Sequence, residues 1–395
     1  MLSSRVRSLK ESSTLRINAM VNRMKQEGKV VFNLTAGEPD FPPPEEAKAA
    51  VREALDKNQS KYTPTAGIQE LRELIAQKTN RQQPASALSR PWAAKDVVVA
   101  NGGKQAIFNS IFALVDEGDE VIFGSPYWLS YPEMVKAAGG TSRVVSTTAE
   151  SGYLMTPEQL KAAITPKTRL LILNSPSNPT GAVYPKATLQ KLGAVLRSHP
   201  EIWVLSDEIY DRIEFNRGSW CSFLDACPEL RDRTVTVNGL SKSGAMTGWR
   251  VGWSLTPDSL TPALIALQGH STSGICSLSQ WAAIASLKLP AEAFESQRQE
   301  YLNRRNLALD LLQKSEKMKI YEPEGAFYLF LDCSPVLRDG QDANGLAEKL
   351  LQEAGVAVVS GVDFGAPKCI RISFATDPKT LTEGCRRLVD YLDRQ

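Results

Sequence analysis

The chain has 395 residues, 42% hydrophobic and 23% charged, and its 46 Lys and Arg against 44 Asp and Glu leave a formal charge of +2. This describes a globular protein with a large core and room for two domains, and gives no electrostatic reason to expect nucleic acid or an anionic membrane as partner. No apolar run approaches the roughly 20 residues of a membrane span, and residues 1–7 lack the apolar core of a signal peptide, so a cytoplasmic protein is expected.

No strand of a main sheet is expected in the first 40 residues. Short β-branched or apolar runs at 97–99, 120–123, 169–173, 202–205, 234–237 and 251–253 read as strands. Between the first two, Ala106, Ile107, Ser110, Ile111, Leu114 and Val115 recur on one face of a helix. Strands this apolar, separated by helices, imply an α/β unit with a mostly parallel sheet covered on both sides. After about residue 290 the pattern changes. A charged helix from 295 to about 314 leads to strand-like runs at 325–331, 356–359 and 370–373. These read as a smaller α+β domain, with which the first 40 residues are expected to pack.

Several segments carry chemistry. Lys242 follows the run 234–237, in the setting Asn238-Gly239-Leu240-Ser241-Lys242-Ser243-Gly244-Ala245-Met246-Thr247-Gly248-Trp249-Arg250. Small neighbours admit a bulky ligand, and a nearby cation favours the neutral, nucleophilic amine. Taken singly, Lys242 reads more readily as one of many solvated surface lysines, and only its neighbours can overturn that reading. Asn101-Gly102-Gly103-Lys104 joins a strand to a helix, which suits an anion at the helix N-terminus and suits a plain tight turn as well. Asn178 lies in a loop dense in turn formers beyond run 169–173. Asp207, just past a strand end with Tyr210 beyond it, reads either as a helix cap or as a partner for a protonated pyridine nitrogen. Trp128 offers a flat face for a ring or fills a core. Arg371 sits in an apolar strand and needs an anionic partner, such as a substrate carboxylate. Six scattered cysteines without a Cys-x-x-Cys pair read as reduced thiols, and with only His199 and His270 no metal site or histidine-based triad is expected.

Ser-Lys-(x)3-Met-Thr-Gly-Trp-Arg around Lys242, Asn-Pro-Thr-Gly at 178–181, Asp-Glu-Ile-Tyr at 207–210 and Arg371 together resemble the class I aminotransferases of pyridoxal-phosphate (PLP) fold type I. The likeness runs from about Lys10 to about Leu388. Segments 34–41, 61–67 and 126–132 resemble the bacterial aspartate and aspartate/prephenate subgroup. The resemblance implies a large domain, 41–290, with a mostly parallel seven-stranded sheet flanked by helices, and a small α+β domain from 1–40 and 291–395. It implies that Lys242 binds PLP covalently and shuttles the Cα proton. Asp207 would pair with the pyridine nitrogen, Tyr210 and Asn178 would contact the ring oxygen, and Trp128 would stack on the ring. Gly103, Lys104, Ser241 and Arg250 would hold the phosphate, with Tyr62 of a second subunit, so a homodimer is implied. Arg371 and the backbone of Gly37 would grip the substrate α-carboxylate. No arginine occurs between Arg250 and Arg298, where some aspartate aminotransferases bind the distal carboxylate, and the resemblance suggests Lys10, with Thr14, instead. The expected reaction is ping-pong transamination with aspartate as donor, 2-oxoglutarate as acceptor and prephenate as a further acceptor. An aromatic or alanine-type aminotransferase, a C–S β-lyase on the same fold, and an aminotransferase-like ligand-sensing regulator are the alternatives.

Overall fold

The computed structural model describes residues 2–9, 13–82 and 90–395. Seven strands build the central sheet: β1 Val97–Asn101, β2 Glu120–Ser125, β3 Thr141–Ser146, β4 Thr168–Asn174, β5 Trp203–Asp207, β6 Thr234–Gly239 and β7 Val251–Leu255. Their order is β1-β7-β6-β5-β4-β2-β3. Every pairing is parallel except the two made by β7, which runs against both its neighbours. The sheet is therefore α/β and mostly parallel, as expected.

Alternation along the strands explains why they read as continuous apolar runs. Val97, Val99, Ile122, Leu171 and Val204 face one layer with Leu71, Ile75 and Ile284. Val98, Val121, Phe123, Leu170 and Leu205 face the other with Ile107 and Ile111. Helices α1 Gln69–Gln82, α2 Gly102–Leu114 and α3 Ser277–Lys288 supply those partners, and α4 Glu295–Leu312 comes after them in the chain. The face of α2 that carries Ala106, Ile107, Ser110 and Ile111 is buried, as its periodicity predicts. Strand β3 is absent from the sequence-based strands. It pairs on one side only, and Val145 is its one buried residue, so its sequence lacks the apolar run that marks the inner strands.

A second sheet, ordered β10-β11-β9-β8, is wholly antiparallel: β8 Lys319–Ile320, β9 Tyr328–Asp332, β10 Val359–Ser360 and β11 Cys369–Ser373. Phe32–Asn33 pairs separately and in parallel with Val356–Ala357. The core under this sheet joins Leu309, Leu312, Phe327, Leu329, Ile370, Ile372 and Leu388 to Leu34 from the N-terminal segment. It also takes Tyr210, Ile213 and Phe215. The stretch after β5 thus leaves the central sheet to anchor in the second core, so Asp207 and Tyr210 sit where the two cores meet.

Candidate active site

In an open parallel sheet, ligands gather at the carboxyl ends of the strands, where the connecting loops open. Here β1 leads to Gly102 and Gly103 at the start of α2, β2 leads to Trp128, β4 to Asn178, β5 ends in Asp207, and β6 leads to Lys242. Because β7 runs the other way, Arg250, just before its start, lies at this same edge. The registers Asn101↔Val251 and Gly239↔Gly252 fix that placement.

Lys242 is partly buried and its Nζ donates to the Gly37 carbonyl. Burial, then the positive charge of Arg371 and Arg250, lower its pKa to about 8 against the opposing pull of Glu38 and Asp207. Asp207 is almost fully buried. Its Oδ2 accepts from the Tyr131 hydroxyl at 2.7 Å, and its Oδ1 from the Ile209 N–H at 3.3 Å. Burial nevertheless raises its pKa to about 6, outweighing those hydrogen bonds and Lys242. Tyr210 lies with its hydroxyl 2.9 Å from that of Tyr328, and its ring centre is 5.9 Å from Lys242 Nζ.

A few residues away the backbone is shaped for an anion. Gly102 has φ +76°, and a Cβ there would lie 2.6 Å from Arg250 Nη2. A Cβ on Gly252 would come within 2.2 Å of Gly103 N, so only glycine lets β7 pass the start of α2. Arg250 itself adopts φ 56°, a left-handed conformation that costs a non-glycine residue about 1 kcal/mol or more. Its guanidinium donates to the carbonyls of Thr247 at 2.8 Å and Asn101 at 3.1 Å. Lys104 Nζ sits 5.0 Å from the Trp128 ring centre, and its pKa is lowered by burial and by Arg250. Ser241 is buried in the turn between. Two cations at the positive end of a helix are an anion site.

Arg371 is buried in β11. It donates from Nη1 to Asn178 Oδ1 and from Nη2 to the Thr35 carbonyl, each at 3.0 Å, and stacks 4.3 Å from the Tyr328 ring. Its buried Nε has no partner among the described residues. A buried guanidinium with an unused donor is suited to a carboxylate. A cationic clamp on glycine backbone, a desolvated carboxylate with no ion-pair partner among the described residues and a lysine of lowered pKa fit the phosphate, pyridine ring and aldehyde of PLP.

The structure therefore brings together Lys242, Asp207, Tyr210, Asn178, Arg371, Gly37, Gly103, Lys104, Trp128, Ser241 and Arg250. Tyr62 is fully exposed instead. Lys10 and the side chain of Thr14 lie outside the described residues. In the 268–274 segment, the buried Gln268 amide donates to the carbonyls of Thr65 and Val99, each at 2.9 Å. Sequence reasoning missed two residues. Tyr131 follows Trp128 by one helical turn, and a tyrosine on a helix face that must be buried needs a polar partner; that was the available signal. Tyr328 gave no signal beyond an aromatic in a strand.

The family model for "Aminotransferase class I and II" matches residues 29–388. The aspartate/prephenate aminotransferase of Cereibacter sphaeroides is 40% identical over 394 residues, covering 98% of this chain and 97% of the relative. That of Thermus thermophilus is 42% identical over 396 residues, covering 100% and 99%. The solved structure of Thermus thermophilus aspartate aminotransferase with maleate superposes with a TM-score of 0.92 at 41% identity, covering 99% of each chain. With such matches end to end, and with the lysine, carboxylate and arginine of the site in one cleft, the chain belongs to the class I and II aminotransferases.

Proposed function

We propose that this enzyme is a PLP-dependent ping-pong transaminase that takes aspartate as amino donor and 2-oxoglutarate as acceptor, with prephenate as a further acceptor. The observation that carries the reading is the meeting of Asp207, at the end of β5, Lys242, in the turn beyond β6, and Arg371, in the middle of β11. Relatives named aspartate/prephenate aminotransferase, matched over nearly their whole length, support the substrate assignment.

When bound, PLP supplies an electrophilic carbon for the amino group and a sink for the electron pair released at Cα. The chain's own residues do the rest. Arg250, Lys104, Ser241 and the Gly103 N–H would hold the phosphate. Asp207, fixed by Tyr131, would keep the ring nitrogen protonated, Trp128 would pack on the ring, and Asn178 and Tyr210 would bind its oxygen. Arg371 accepts the substrate α-carboxylate on its free donor and, with the backbone of Gly37, points Cα toward Lys242. The Lys242 amine, of lowered pKa, removes the Cα proton and later returns it. Partial burial of this pair strengthens each electrostatic contact.

A homodimer is part of the same proposal. Tyr62 is fully exposed in one chain, and Phe108 and Phe112, stacked at 5.8 Å on α2, are also exposed. Both features favour an apposed second copy whose Tyr62 reaches the phosphate. Within the chain, the proposed division is 41–290, which carries the central sheet, and 1–40 with 291–395, which carry the antiparallel sheet, with Tyr210, Ile213 and Phe215 crossing from the first into the core of the second. Donors crossed against 2-oxo acid acceptors, repeated with Arg371→Ala, test the reading. Aspartate with 2-oxoglutarate should be the fastest pair, and Arg371→Ala should raise KM for every donor. Ammonia and pyruvate from cysteine conjugates, with no transamination, would mark a lyase and reject it.

A further inference from the structure

A second cavity, about 820 Å³, lies at the junction of the two cores and shares none of the site residues above. Lys78 and Arg81 line it from α1, Lys288 from the end of α3, Arg212 and Arg217 from the stretch that enters the second core, and Arg298 from α4. The acidic residues on its wall are Asp211, Glu214 and Glu295.

These charges are not evenly matched. Glu295 is shared by Arg217 and Arg298, and Lys288 pairs with Glu70. The Glu214 carboxylate accepts the N–H groups of Gly218 at 3.0 Å and Trp220 at 2.9 Å. Lys78, Arg81 and Arg212 make no ion pair among the described residues. Lys78 Nζ reaches only the Leu287 carbonyl, at 3.4 Å, and Arg212 lies over the Phe294 ring at 5.3 Å. Burial, then the charge of Arg212, and Arg81 behind it, lower the Lys78 pKa to about 8, with Asp211 only partly opposing. The size falls in the range of roughly 300–1,000 Å³ typical of small-molecule sites. Inward, the cavity meets a chamber of about 50 Å³ that shares Lys78, Asp211, Arg212 and Leu287 and ends against Gly239, Leu240 and Ser243, beside Lys242.

We propose that this junction cavity binds a small polyanion, a compound with two or more phosphate or carboxylate groups, held by Lys78 and Arg81 on one side and Arg212 on the other. The occupant bridges α1 and the stretch after β5, so it ties the two cores together behind the Lys242 turn.

Calorimetric titration of the PLP-loaded enzyme with inorganic pyrophosphate, and separately with citrate, tests this at low ionic strength. Loading the enzyme with PLP keeps its phosphate clamp filled. One saturable site per chain is expected that survives Arg371→Ala and is weakened about tenfold or more by Lys78→Gln and by Arg212→Gln. Tighter binding of pyrophosphate points to a phosphate ligand, and the reverse to a polycarboxylate. Unchanged melting temperatures show that the variants fold, and Arg81→Gln, on an exposed helix position, gives a third variant. No saturable binding of either probe overturns the proposal. So does binding that Arg371→Ala abolishes and Lys78→Gln and Arg212→Gln leave intact.

Discussion

Asp207→Asn should make the cofactor-free protein more stable, although it removes a residue assigned to the site. The folded-state pKa of Asp207 is about 6, against an ordinary value of 3.8, and burial is the cause. A carboxyl whose pKa is raised by folding contributes fully to stability below its unfolded pKa and loses that contribution as pH rises through the folded one. Two pKa units at 1.36 kcal/mol each put the loss at about 3 kcal/mol by pH 7.5, and roughly half of that by pH 5. Asparagine is nearly isosteric, keeps an acceptor for Tyr131 or the Ile209 N–H, and carries no charge to desolvate. Urea unfolding of the cofactor-free wild type and variant, at one protein concentration because subunit association shifts stability, should show a gain of about 3 kcal/mol at pH 7.5. The gain should shrink toward half at pH 5. A variant no more stable than wild type at pH 7.5, or a gain that does not change between the two pH values, would refute the reasoning. Loading with PLP should reverse the ranking, because a protonated ring nitrogen supplies the cation that the buried carboxylate lacks.

Tyr131→Phe removes the 2.7 Å hydrogen bond to the Asp207 carboxylate while keeping the ring that packs against Phe123 and Trp128. Losing a donor to the ionised form raises the Asp207 pKa further, so the acid limb of kcat/KM should move to higher pH by about one unit or more. An unmoved limb would remove Tyr131 from the positioning of Asp207. Lys242, with a pKa of about 8 in place of 10.5, should hold roughly a tenth of its amine neutral at pH 7. Capture of PLP by the cofactor-free enzyme, followed by absorbance, should rise with a midpoint near pH 8. A midpoint near 10 would show that burial and the two arginines do not act on it.

The parts of the molecule that were legible in the sequence are those whose local chemistry is restrictive. The inner strands announce themselves because both their faces are buried. Asp207 ends such a strand and Gly102, Asn178 and Lys242 lie within four residues beyond one, so finding a strand also places these residues. Strand β3 was hidden because an edge strand can be polar. The excursion of Tyr210, Ile213 and Phe215 into the second core was hidden for another reason: their partners lie about a hundred residues further on, and nothing local encodes that distance. Tyr131 and Tyr328 escaped likewise, since each acts through a hydrogen bond to a residue far away in the chain, Asp207 and Tyr210.

What the fold adds is a set of unsatisfied groups in one cleft. Among the described residues, Asp207 is desolvated with no ion-pair partner, Lys104 and Arg250 crowd each other without an anion bridging them, and Arg371 keeps a buried donor unused. Each imbalance costs free energy in the isolated chain. Each is answered by a different part of the proposed pair: Asp207 by the pyridine nitrogen, the two cations by the phosphate, Arg371 by the substrate carboxylate. Lys242 lies between these centres, with Arg371, Arg250 and Asp207 all acting on its charge. The same burial that raises the carboxyl pKa lowers that of the amine, so one desolvated cleft suits both groups to their proposed roles as ring partner and proton carrier. On the proposed function, the stability these groups cost the cofactor-free chain would be recovered on binding cofactor and substrate, so the residues that destabilise that chain are the ones to which the proposal gives the chemistry.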